Sequence, residues 1–598
     1  MREVRRIVFM ERNAMTARIL DVTPKNWAVI SLTACLSISY LLPFNFFPFF
    51  SFYNDLLVIF GVAIAVALIG KGKITSVHIP WIAGLPLGLA AVIVLQAVSG
   101  MLTVNWDAVF PVAYFIVATI AVVLGASIAA GNNGSSRLCT ALAYAYLFAG
   151  MISVVLATAQ FRGVEEALMP FVMLMIHSPN SIVRPFANIA QPNHLALILC
   201  IAMVSVWWLH QVDRLRTMVA IGAVLSLLWG LALTQSRIGW IIVPAFSVLF
   251  LLWRGKPGFR RVSGWAIAGF VLIYAILVIA LPFISLSLLS VSSASADQRI
   301  GTHTGSERLV LFQQALQISL SNPWFGAGWY EFGTQQLKIG SDFAPSIYSD
   351  HAHNIVLNFA AELGWPVTII VFGAIAYWFY AGFFRRTISK EAGFAIFFFT
   401  AVSVHSLVEY PLWYAYFLLP TAFLIGMVHQ ERLGAKEIRL PRLYLIALFL
   451  LMTFGMVSVA QDYRRVVKGV WAGEMGVRGF AFSDFSTEKP AFTLFPHYYD
   501  YIRFSRIDIR PGMPPEEIAF GERVAQRFAS FPILANMSLI YALNDRPDNA
   551  LKTLLTIKSL HRCNYSEIYS HWEKNSSTMP EKFTKIFMRL PKPNRNEC

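Results

Sequence analysis

The chain is poor in charge. Asp, Glu, Lys and Arg together make up 14% of its 598 residues, against about 25% in an average soluble domain. Hydrophobic residues reach 57%, and mean hydropathy is +0.58. A water-soluble core cannot hide that much apolar surface, so the soluble, fibrous and disordered classes are excluded. Cysteine is scarce too, with five in all. Cys35, Cys139 and Cys200 lie in apolar stretches as small hydrophobes, and Cys563 and Cys598 remain to pair if their compartment is oxidising. No Asp-x-Asp pair occurs and no cysteine spacing marks a metal site; Asp350, His351 and His353 could hold a metal, but no third histidine or paired carboxylate stands nearby at ligand spacing. What remains is an all-α polytopic membrane protein.

Apolar runs suited to crossing about 30 Å of hydrocarbon at about 1.5 Å per residue occur at 27–42, 55–70, 80–100, 108–130, 138–160, 191–210, 217–235, 238–253, 264–288, 366–384, 392–408, 411–430 and 443–460. These predict thirteen spans. A basic arm, 1–26, precedes the first, and no small-residue cleavage site follows it, so it is not a signal peptide. The net charge of +15 is distributed as topology rather than as a nucleic-acid surface. Every second loop is basic, as with Lys71 and Lys73, Arg214 and Arg216, or Arg432, Lys436, Arg439 and Arg442, whereas 43–54 and 101–107 hold no Lys or Arg. This alternation predicts a cytoplasmic N-terminus and a transmembrane domain over 27–460. It puts the large loops 161–190 and 289–365 in the periplasm, together with the tail 461–598.

The tail shifts in composition: charge rises and long apolar runs stop. Residues 531–562 read as a helical hairpin turning at Asn544-Asp545-Arg546-Pro547-Asp548-Asn549. Leu and Ala at helical spacing resemble one tetratricopeptide-type unit, and the tail is read as a helical domain, either a binding module or a generic bundle.

The spans hold few ionisable residues, unlike those of ion pumps and transporters. The unusual polar residues gather instead at span ends. Arg184-Pro185-Phe186-Ala187-Asn188-Ile189-Ala190-Gln191-Pro192-Asn193-His194 carries more donors and acceptors than a helix cap needs. Arg237 stands in an outer turn where positive charge is disfavoured. Arg308, in Gly305-Ser306-Glu307-Arg308, offers a planar fork suited to a diphosphate; the alternatives are a salt bridge with Glu307 or a solvated helix face. Asp350-His351-Ala352-His353-Asn354 offers a histidine general base, with a structural role for the second histidine. Glu409 and Tyr410 lie in His405-Ser406-Leu407-Val408-Glu409-Tyr410-Pro411, at the next outer turn.

In this order, these clusters resemble the bacterial superfamily of O-antigen ligases, O-antigen polymerases and O-linked oligosaccharyltransferases. The ligase signature is His, then Asn/Ser/Gln, nine residues, Gly, two residues, then Gly/Thr/Tyr. His353-Asn354 and Gly364 fit it; Val367 departs from the last position, and Thr368 follows one residue late. The strings 186–194 and 405–413 look most like the protein O-oligosaccharyltransferases. The resemblance implies a metal-independent glycosyltransferase of the inner membrane, without cofactor, working at the periplasmic face. Its donor would be an oligosaccharide on undecaprenyl diphosphate, its acceptor an exported protein such as a pilin. His353 would be the base, and Arg237, Arg308 and Arg184 would bind diphosphate. Asn188, Gln191, Asn193, His194, His351, Asn354, Glu409 and Tyr410 would orient substrates. An O-antigen ligase using lipid A–core, a glycan polymerase and a lipid-linked glycan flippase stand as rivals.

Overall fold

The computed structural model describes residues 24–70, 72–175, 183–254, 256, 259, 262–289, 304–343, 346–385, 387–471 and 488–593. In chain order, the first helices are α1 (Pro24–Ser39), α2 (Phe52–Leu68), α3 (Gly84–Val98), α4 (Val109–Ala129), α5 (Gly134–Arg162) and α6 (Pro192–Gln211). Next come α7 (Thr217–Leu233), α8 (Gly239–Trp253), α9 (Gly264–Leu289), α10 (Thr304–Ser321), α11 (Phe332–Ile339) and α12 (Ile355–Leu363). Then follow α13 (Trp365–Phe379), α14 (Lys390–Ser406), α15 (Ala415–Arg432) and α16 (Arg442–Trp471). The C-terminal helices are α17 (Pro496–Ser505), α18 (Pro515–Arg527), α19 (Phe531–Leu543), α20 (Pro547–Leu560), α21 (Arg562–Thr578) and α22 (Pro580–Phe587).

A helix stands at each predicted span, but they differ in reach. Among the described residues, seven stretches are long and apolar enough to cross a membrane: 81–98, 105–129, 134–162, 192–211, 264–284, 365–384 and 442–470. Those at 24–39, 52–68, 217–233, 239–253 and 390–406 have 15 to 17 residues, or about 25 Å of rise. α15 has 18 residues but ends in His429-Gln430-Glu431-Arg432. The helices at 24–39 and 52–68 begin three residues before the hydropathy runs 27–42 and 55–70 and end two to three residues before those runs do.

Depth of burial sorts these helices. α6 is enclosed by protein, with Leu195 to Val204 buried without a break, while α16 is exposed along most of its length. α4 and α15 cross closely because each brings a glycine to the contact. A Cβ at Gly125 would lie 2.1 Å from the Phe423 carbonyl oxygen, and one at Gly426 1.9 Å from that of Val122. Small residues at such crossings let backbones meet where apolar lipid supplies no hydrophobic drive.

One feature departs from the sequence reading. Ile74–Ile79 and Lys436–Pro441 form an antiparallel two-stranded ribbon, with Val77 opposite Ile438, where two basic loops were expected. Within the segment 289–365, the helical-looking stretch 309–320 falls in α10, and α11 and α12 follow. In the tail, α19 and α20 pair across the turn at 544–546. Cys563 is disulfide-bonded; Cys598 and most of the arm 1–26 lie outside the described residues.

Gly426→Ala should therefore lower the thermal midpoint in detergent, with a cost of about 1–3 kcal/mol, typical of overpacking. Gly373→Ala, at a glycine with open space around its Cβ direction, should leave the midpoint unchanged. A fluorescence-detected melt of both variants checks this.

Candidate active site

The site begins where α12 begins. Asn354 caps that helix, its Oδ1 accepting from the backbone N–H groups of Val356 and Leu357 at 3.1 Å each, while its Nδ2 donates to the Leu407 carbonyl at 3.2 Å. His353, just before it, has a left-handed backbone (φ 54°). Such strain in a non-glycine residue persists only where surrounding contacts impose it.

Those contacts centre on Glu409. Its backbone N–H donates to the His405 carbonyl at 2.8 Å, closing the end of α14, and the residue is only 3% exposed. One carboxylate oxygen accepts from Arg308 and, at 2.9 Å, from Asn193 Nδ2. The other meets His353 Nδ1 at 3.0 Å. Burial pushes the carboxyl upward, but the hydrogen bond and charge of His353, followed by the charge of Arg308, outweigh burial and hold it at about 2. Glu409 is thus ionised at neutral pH. It fixes Nδ1 as the engaged ring nitrogen and leaves Nε2 for other work.

The network continues through Asn193, whose Oδ1 accepts from Ser236 Oγ at 2.8 Å and from Arg184 at 3.4 Å. Arg184 also reaches the Thr234 carbonyl. Arg237, half-buried, follows Ser236 in the tight turn between α7 and α8, where Gln235 has φ 49°. Arg308 therefore pairs with the carboxylate directly and Arg184 joins it through Asn193, while Arg237 stands in the turn that supplies Ser236. Glu307 pairs with Arg562 rather than with Arg308.

The two histidines have different surroundings. His351 is buried among Tyr330, Tyr410 and Trp413, with ring centroids 4.9 to 5.1 Å away. Burial first, then the charges of His353 and Arg527, push it down to about 3, so it stays neutral. His353 keeps a partly exposed side chain and contacts the Tyr410 ring edge-on at 4.9 Å.

Other expected residues take different places. Asn188 accepts from Met173 N–H and donates to the Leu41 and Phe171 carbonyls, fastening loops to one another. His194 is buried within the helices, with Nδ1 at 3.1 Å from the Tyr416 hydroxyl. Gln191 precedes α6, and its buried Oε1 has no hydrogen-bond partner among the described residues. No group of three or more metal-ligating side chains occurs among the described residues.

A cavity of about 690 Å³ opens beside His353, lined by His351, Tyr410 and Trp329 at one end and by Leu418 and Ile425 of α15 at the other. Sequence reasoning missed three of its polar residues. Asp107 binds the buried Arg527 and lies 3.5 Å from His497 Nε2, and the Arg527 guanidinium sits 4.5 Å over the Tyr330 ring. A lone acid in a short loop and an arginine 420 residues later give no signal in sequence.

Two family descriptions match the chain: "O-Antigen ligase" over residues 221–372, and "Virulence factor membrane-bound polymerase, C-terminal" over 394–575. The first contains Arg237, Arg308 and His353, the second Glu409. The matches support the O-antigen ligase superfamily. The chain is also similar to two O-oligosaccharyltransferases. It is 24% identical to the general O-oligosaccharyltransferase of Acinetobacter baylyi, with 69% of this chain and 71% of that protein covered. It is also 24% identical to the ComP-specific O-oligosaccharyltransferase of the same organism, over 68% and 72%.

Acid should destabilise the protein in two stages. His351 and His497, held down to about 3 and 4 chiefly by burial, resist protonation that unfolded histidines accept below 6.5, so stability falls as pH drops from there. Glu409, depressed from 4.5 to about 2, contributes stability above pH 4.5 that is lost as pH falls toward 2. Thermal midpoints measured from pH 7 to 3 should decline throughout, and Glu409→Gln should remove the Glu409 share of the fall below 4.5 while the histidine share remains.

Proposed function

We propose that the protein is a metal-independent O-oligosaccharyltransferase moving a glycan from undecaprenyl diphosphate to Ser or Thr hydroxyls of exported proteins. The observation that carries this reading is the shared carboxylate: Glu409 touches both the candidate base, His353, and a candidate diphosphate ligand, Arg308. In the reaction, His353 Nε2 takes the acceptor hydroxyl's proton as that oxygen bonds to the anomeric carbon. The bond from that carbon to the diphosphate oxygen breaks. Arg308, Arg237 and Arg184 stabilise the charge growing on the leaving diphosphate, which is greatest in the transition state.

The relatives' names support transfer to protein, and one of them is ComP-specific; a pilin-like acceptor is the corresponding expectation here. The polymerase and ligase descriptions keep a glycan or lipid A–core acceptor as the second reading. Co-expression with a lipid-linked glycan pathway separates these. Glycopeptides should appear in mass spectra of exported proteins. His353→Ala should lower them by about 10²–10⁴-fold, as expected for loss of a general base. Arg308→Lys and Arg237→Lys should also be severely impaired, because an ammonium lacks the bidentate fork, and EDTA should have no effect on purified protein. Modified lipopolysaccharide without glycopeptides reassigns the nucleophile to the ligase reading.

The same proposal sets the topology: thirteen spans in the inner membrane, with the N-terminus cytoplasmic and the site and tail periplasmic. A reporter active only in the periplasm should work when fused after Cys598; activity of a cytoplasm-only reporter there would refute the arrangement.

A further inference from the structure

The C-terminal helices do not stand apart from the site. Arg562, the first residue of α21, pairs with Glu307, next to Arg308, and both side chains of the pair are less than one-fifth exposed. Ser559 Oγ donates to the Gly340 carbonyl at 2.6 Å, and the Tyr348 N–H donates to the Leu560 carbonyl at 3.0 Å. Leu337 and Tyr348 pack into the same apolar cluster as Leu554, Ile557 and Trp572. The segment from Glu307 to Tyr348 is therefore folded onto α20 and α21.

A second line of contact runs through α18. Arg527, at its end and 8% exposed, pairs with Asp107 and covers the Tyr330 ring. Tyr330 meets His351 edge-on at 5.1 Å, His351 meets Tyr410 at 4.9 Å, and Tyr410 meets His353 at 4.9 Å. One line ends on Arg308 and the other on His353.

We propose that the C-terminal helices clamp the active site, with Arg562 and Arg527 as positioning residues that hold Arg308 and His353 in the geometry that transfer requires. The inference rests on the transfer reading above and gives the tail a role other than capturing the acceptor. A displacement of about 1 Å at reacting groups can cost as much as 10²-fold in rate, so a clamp acts on kcat. Acceptor capture acts on KM.

The partly exposed Arg562–Glu307 pair is the better place to test this, because truncating the buried Arg527 strands Asp107 and endangers folding. Full-length Arg562→Glu, Glu307→Arg and the double swap are assayed with lipid-linked donor and two acceptors, an intact protein and its short Ser-containing peptide. Each single variant should lower kcat by about tenfold or more, equally for both acceptors, with KM unchanged; the double swap should restore kcat. Should a single variant misfold by thermal melt, Arg562→Gln, which removes the charge with little steric change, takes its place. A raised KM confined to the intact acceptor, with kcat spared, overturns the clamp in favour of capture. So does wild-type behaviour of every single variant. His353→Ala is run in parallel: wild-type transfer by that variant refutes the base assignment, while the kcat comparison still reads the clamp.

Discussion

The candidate site depends on one buried carboxylate. An ionised Glu409 inside an apolar protein is expensive unless its oxygens are filled, and here they are filled by Arg308, Asn193 and His353. These partners come from the start of α6, from α10 and from the residue before the Asn354 cap of α12, while Glu409 follows the end of α14. Four chain segments must therefore arrive together for the charge to be tolerated. The reverse also holds: a fold that misplaces one of them leaves buried donors without an acceptor. Site geometry and global topology are in this way the same constraint.

The helices around this carboxylate supply rigidity by other means. A lipid-facing helix satisfies its own backbone, so irregular chain belongs at helix ends or inside protein. The site uses that freedom: left-handed residues occur at Ala187, Ala190, Gln235, Tyr330 and His353, all in connections between helices. The reach of each side chain is then set by close helix crossings, such as that of Gly125 and Gly426, rather than by the connections themselves.

Much of this was legible in the sequence because polar residues are conspicuous in an apolar chain. Arg237, Arg308, His353 and Glu409 stood out as charged or titratable groups at span ends, where hydropathy gave them no reason to be. What hydropathy cannot separate is a polar group that serves the protein from one that serves a ligand. Asn188 and Asn193 look alike in one short string, yet Asn188 fastens three backbone segments while Asn193 joins the Glu409 network. The ribbon of Ile74–Ile79 and Lys436–Pro441 was hidden because its strands are about 360 residues apart and lie in or beside basic stretches that read as loops. The Asp107–Arg527 pair was hidden for the same reason of separation.

The choice between His351 and His353 shows what structure adds to motif. Two residues apart, they share a residue type and a loop, and in sequence only the resemblance to the ligase signature singles out His353. Enclosure by three aromatic rings, with nearby positive charge, keeps His351 neutral and without a carboxylate. His353 has Glu409 on Nδ1, which directs the tautomer and stabilises positive charge that would form on the ring during proton transfer. The same carboxylate holds Arg308, so in the proposed reaction base and leaving-group ligand are oriented by one group. A substitution at Glu409 cannot alter one without the other, and this coupling is why a single ionised side chain repays its burial.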